Sequence, residues 1–151
     1  PEQISLKEAR LMIKDISFYL ISNYLGGLFA RAPFAIELME DEMKSNKEII
    51  KHNGYDMLST ILKNNKPKLS KLKCGKYLKV IEQEIHDSPN RAKNAMNAAL
   101  ISMGVYREDL RKDAITTAKR IGKVEVDHGE TNCKTPDAVS YIEKCVTREK
   151  K

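Results

Sequence analysis

"PNRAKNAMNAALISM", residues 89–103, carries a helical pattern with two faces, and the second face decides between a compact bundle and a stacked solenoid. Ala92, Ala95, Met96, Ala99, Leu100 and Met103 recur at three- and four-residue spacing, the mark of a helix that buries one stripe. The opposite side holds Asn94, Asn97, Ala98 and Ile101. An isoleucine among asparagines suggests a helix touched on two sides, as in stacked repeats where each helix pair buries a face against its neighbour. A solenoid is the expectation.

The same period runs outward in both directions. Leu20, Ile21, Tyr24, Leu25 and Leu28 form one stripe, and Ile50, Gly54, Met57, Leu58, Ile61 and Leu62 a longer one. Cys74, Leu78, Ile81 and Ile85 follow; after residues 89–103 come Leu110, Ala114, Ala118 and Ile121, then Val139, Ile142, Cys145 and Val146. Strand-like alternation is nearly absent. "SLKE" (Ser5, Glu8) and "SNKE" (Ser45, Glu48) read as capping boxes, "SPN" at 88 and "TPD" at 135 as capped starts with proline at the first helical position, and Pro33 in the same role. The sum is an all-α chain of about eight helices with short connections, paired at roughly the 35–45-residue period of HEAT-type repeats.

The 151 residues suffice for one domain with a real core. No apolar run approaches the ~20 residues that cross a bilayer, the N-terminus lacks a leader pattern, and Cys74, Cys133 and Cys145 show no paired spacing. These features point to a soluble cytoplasmic protein with reduced thiols. With 27 basic and 21 acidic residues the net charge is +6, favouring an anionic partner. The lysines are unevenly placed: no acidic residue occurs from Met57 to Ile81, where Lys63, Lys66, Lys68, Lys71, Lys73, Lys76 and Lys79 fall, directed by the helical period toward solvent.

Three groupings bear on chemistry. "VDHGETNCKTPDA", residues 126–138, gathers Asp127, His128, Glu130, Cys133, Lys134 and Asp137, but His128 and Cys133, even with Cys145, fall short of a zinc set, and no third group orients a Cys133–His128 pair. The stretch reads as the connection into the last helix, with Thr135 as its N-cap, and no metal is expected. From Glu108 to Gly122, Lys112, Thr116, Lys119 and Lys123 make a line that suits a run of phosphates, flanked by Arg91, Lys93 and Arg120. A solvated outer face gives the same line. "LGGLF" at 25–29 lies inside a helical pattern, where its glycines permit close helix approach rather than cradle a phosphate, so no nucleotide cofactor is expected.

"NYLGGLFARAPFAIELMEDEMKSNKEIIKHNGYDMLSTIL" and "AMNAALISMGVYREDLRKDAITTAKRIGKVEVDHGETNCKTPDAVSYIEK" together resemble the AlkD-like DNA alkylation repair family, through "R-x-P-F-A-x-E-L" (Arg31, Pro33, Phe34, Ala35, Glu37, Leu38) and "VDHGETNCKTPDA" in the same order. The resemblance covers most of residues 1–151, which would be the C-terminal portion of a longer family domain. It implies a HEAT-like solenoid holding double-stranded DNA on a concave basic face, and relatives that excise cationic N-alkylated purines. The family's active pattern has a tryptophan and, four residues later, an aspartate where this chain has Phe18 and Ser22, a basic pair at Lys51 and His52, and another tryptophan at Ala98. The resemblance therefore carries the scaffold without the usual excision set. A catalytic chain would need Asn23, His52 or Asp127 in its place. The competing expectation is a non-catalytic helical scaffold for a protein partner.

Overall fold

The computed structural model describes residues 3–149. Eight helices and no strand occur among them: α1 Leu6–Lys14, α2 Tyr19–Phe29, α3 Ala35–Met43, α4 Glu48–Asn64, α5 Lys71–Glu84, α6 Asn90–Tyr106, α7 Glu108–Ile121 and α8 Ala138–Glu149. The even helices stack side by side, α2 on α4, α4 on α6 and α6 on α8, while α3 backs α4 and α7 backs α6 and meets α5. This is the layered stack expected from the two faces of residues 89–103. Ile101 and Asn97 on the second face of α6 are indeed buried, the Asn97 amide donating to the Pro136 carbonyl at 3.0 Å.

One apolar cluster runs from Ala9 in α1 to Ile142 in α8. Its stripes in α4 to α7 are those the spacing indicates. The helix α2 departs from expectation. Leu20, Ile21 and Tyr24 are exposed, Tyr24 at 82%, and the buried face is Ser22, Gly26 and Phe29. Close packing explains the choice. A methyl group on Gly26 would sit 2.7 Å from Asn53 Oδ1, so α2 approaches α4 along its small residues and turns its larger apolar ones outward. Gly54 lets α4 approach α3 in the same way, with Met43 N 2.6 Å from where a methyl would stand.

Helix starts follow the sequence in part. Ser5 and Glu8 form the expected capping box. At Ser45 the expectation fails: Lys47 is the N-cap of α4, and Glu48 instead accepts the Arg91 N–H at 2.6 Å, satisfying an orphan amide of α6 from across the layer. Ser88 does not cap α6 and its hydroxyl is buried without a partner. Pro33 lies two residues before Ala35, the first residue of α3. The α8 cap is Asp137, accepting from Ser140 N at 2.8 Å, while Thr135 pairs with His128.

Candidate functional site

The first turns of α2, α4 and α6 meet at one end of the stack, because Arg91 binds both of the others. Its guanidinium lies 4.1 Å from the centre of the Tyr19 ring and its backbone N–H reaches Glu48. Below this contact, His52 is buried between the layers' helices, with Nε2 2.7 Å from Asn23 Oδ1 and Nδ1 3.1 Å from the Arg91 carbonyl. The structure thus brings Asn23 and His52 together. With the Asn23 amide turned round, one ring tautomer donates Nδ1–H to the Arg91 carbonyl while Nε2 accepts from the Asn23 amide nitrogen. Lys51, beside His52 in sequence, pairs with Glu84 at 2.7 Å.

Ser22, at the family's aspartate position, is 0% exposed. Its hydroxyl donates to Asn53 Oδ1 at 3.2 Å, and Asn53 Nδ2 donates to Glu42 Oε2 at 2.6 Å, closing a polar chain inside the α2–α3–α4 packing. Burial pushes the Glu42 carboxyl up to about 8, against the opposing hydrogen bond from Asn53, and Glu42 Oε1 has no partner. Phe18, the N-cap of α2, is 50% exposed. Asp56, one turn beyond His52, is half-buried; its Oδ2 would stand 3.3 Å from a methyl on Gly26, and desolvation raises its pKa. Sequence reasoning missed Tyr19, Glu48, Asn53 and Asp56. The available signal was Asn53 and Asp56 flanking the apolar stripe of α4.

The basic residues divide between two places. Lys112 and Lys119 are exposed on α7, with no ion-pair partner among the described residues. Arg120 forms a two-pronged bond to Glu82 at 2.5 and 2.8 Å, and Lys123 binds Glu125 at 2.8 Å. The Glu125 carboxyl is held below its ordinary range mainly by Lys123 and more weakly by the charge of Lys93, which lies in the first turn of α6. Since Asn90, at the start of α6, exchanges hydrogen bonds with the Asp127 backbone at 2.5 and 2.8 Å, the end of α7 and the start of α6 lie together. Arg91, Lys93, Lys119, Arg120 and Lys123 therefore share one end of the molecule, and Lys112 stands toward the other end of α7.

Residues 122–137 contain neither helix nor strand. Val124 is buried and Val126 packs on the core, anchoring the segment, and Asp127 Oδ1 accepts from Gly129 N at 2.8 Å in a local turn. His128 Nε2 lies 3.0 Å from Thr135 Oγ1. Cys133 is exposed, and no three His, Cys, Asp or Glu side chains gather into a metal set among the described residues. The segment walls a cleft of about 620 Å³ with Lys123, Lys134 and Asn97 on its sides. A separate slot of about 300 Å³ opens between α6 and α8.

No family model matches the chain. It is 33% identical over 124 residues to an uncharacterized protein of Listeria innocua, covering 82% of this chain and 53% of that one. An uncharacterized protein of Listeria monocytogenes is 32% identical over 126 residues, covering 83% and 54%. The chain spans about half the length of these curated relatives. A solved structure described as a new family of proteins related to the HEAT-like repeat DNA glycosylases, with affinity for branched DNA structures, superposes with a TM-score of 0.91 at 26% identity, over 99% of this chain and 64% of that one.

Proposed function

We propose that this chain, whose fold is that of a family related to the HEAT-like repeat DNA glycosylases, binds DNA through its phosphates and does not excise alkylated purines. The superposition on a protein described as having affinity for branched DNA is the observation that carries the binding half of this reading. The basic end formed by Arg91, Lys93 and Lys119, continued along α7 by Lys112, supplies the charge, and Arg120 and Lys123 add donors that a phosphate would have to share with Glu82 and Glu125. Nearby helix N-termini add a favourable potential for phosphate. Because phosphate contacts release counterions, each one adds about 0.9 to the slope of log affinity against log salt.

Excision of a cationic purine needs negative charge beside the sugar to stabilise an oxocarbenium ion. Ser22 offers none and is sealed from the surface, and Glu42 behind it is held toward its neutral form by burial. Of the two α4 carboxylates one turn from His52, Asp56 lies against Gly26 and Glu48 accepts from the Arg91 amide. The test is a titration of labelled duplex and four-way-junction DNA at low and moderate salt. Steep salt dependence that becomes shallower in a Lys112→Ala, Lys119→Ala, Lys123→Ala triple variant is expected. Salt-independent binding, or a slope unchanged by the triple variant, removes the phosphate reading.

A protein-binding reading draws on a different place, the exposed Leu11 and Met12 of α1 and Leu20 and Ile21 of α2. Absence of DNA binding would favour it.

A further inference from the structure

The slot between α6 and α8 has a composition unlike the basic end of the molecule. Ile101 and Val105 lie in its lining with Tyr106 and Tyr141, residues 44% and 46% exposed. The Asn94 amide and Ser102 hydroxyl also line it, and neither makes a hydrogen bond among the described residues. No charged side chain lines the slot, and Ala98 contributes only a methyl group. Flat aromatic and aliphatic surface with a few free donors and acceptors suits a neutral heteroaromatic ring with a polar edge.

The slot has a neighbour. Asn97 and Pro136 line both it and the 620 Å³ cleft, and the bond from Asn97 Nδ2 to the Pro136 carbonyl holds that shared wall together. On the cleft side are Lys123, Lys134 and His128. Glu125 and Asp137 line the cleft too: Lys123 and Glu125 pair with each other, and Asp137 accepts from the Ser140 amide, which leaves Lys134 as the lysine free to meet a phosphate. An uncharged aromatic slot, and on the other side of one wall a cleft where Lys134 has no ion-pair partner among the described residues, match the two halves of a nucleotide.

We infer that this pair of cavities binds one unstacked nucleotide of a bound DNA strand, the base in the α6–α8 slot and its phosphate in the cleft beside Lys134. The inference rests on the DNA-binding reading and deepens it: recognition turns on an unpaired base, which branched DNA exposes and a closed duplex does not. The substitution that blocks the slot is Ala98→Leu, at an exposed position where the added carbons enter the slot without disturbing the core. Tyr141→Ala removes an aromatic face, and Tyr141→Phe retains it.

Two DNA probes of equal length are compared, a closed duplex and a branched probe carrying one unpaired 2-aminopurine at the branch. The branched probe is expected to bind about tenfold more tightly, the scale of one base–aromatic stack, with its fluorescence quenched on binding. Ala98→Leu and Tyr141→Ala should each remove that margin and the quenching, leaving duplex affinity unchanged, and Tyr141→Phe should keep both. A margin that is absent, or that survives both Ala98→Leu and Tyr141→Ala, overturns the inference while leaving phosphate binding intact. Failure of the unmodified protein to bind either probe at low salt overturns the DNA reading and this inference with it.

Discussion

Glu42 shows how one buried side chain sets a pH dependence for the whole fold. Its carboxyl sits at about 8 in the folded chain, above its ordinary value of 4.5. Below about 4.5 the proton is held in both states and the stabilising contribution is complete. As pH rises toward 8 the unfolded chain releases a proton that the folded chain keeps, so stability falls across that window, by an amount on the order of a few kcal/mol. Urea midpoints measured from pH 5 to 8.5 should decline for the unmodified protein and flatten in Glu42→Gln, which keeps an acceptor for Asn53. A rising midpoint, or an equal decline in both proteins, would refute this assignment. The same burial argues against restoring the family's aspartate by Ser22→Asp, since the new carboxylate would face Asn53 Oδ1. At the start of α8, Asp137→Ala should cost about 1 kcal/mol in chemical denaturation and Thr135→Ala less, because it is Asp137 that reaches the Ser140 amide; the reverse order would return the cap to Thr135.

Among the helices, the close approaches decide more than the stripes do. Gly54 faces the α3 backbone, which cannot move aside as a side-chain tip can, so Gly54→Ala should cost roughly 1–3 kcal/mol. Gly27, one residue from the tight Gly26, has open space around it, and Gly27→Ala should be neutral or slightly stabilising. Equal effects in a paired denaturation experiment would remove close packing as the reason α4 carries glycine at position 54. That reason also explains what the sequence concealed. Periodicity found α4 to α7 because their buried faces are their apolar faces, whereas α2 buries serine and glycine and displays leucine, isoleucine and tyrosine. Caps were misread where the true partner comes from a distant helix, as Glu48 does for Arg91 across 43 residues. No local motif encodes such a pairing.

For the molecule as a whole, the solenoid was legible in the second face of residues 89–103, and the relation to the HEAT-like repeat glycosylases in the block around Pro33 and the stretch 126–138. The Asn23–His52 contact was legible only as two candidates, since proximity across α2 and α4 is a property of the stack. The slot and cleft were hidden for the same reason: their shared wall joins Asn97 to Pro136, 39 positions apart. On the proposed reading this scaffold binds DNA and lacks the usual excision set. The most direct test of that reading is one single-turnover sample of N-alkylated duplex DNA with protein in excess at low salt, in which bound DNA and released purine are read together. Saturable binding with release at background is the expected result. Efficient release that is abolished by Asp56→Asn, Asn23→Ala or His52→Ala would contradict it, and would show that those residues form a replacement catalytic set.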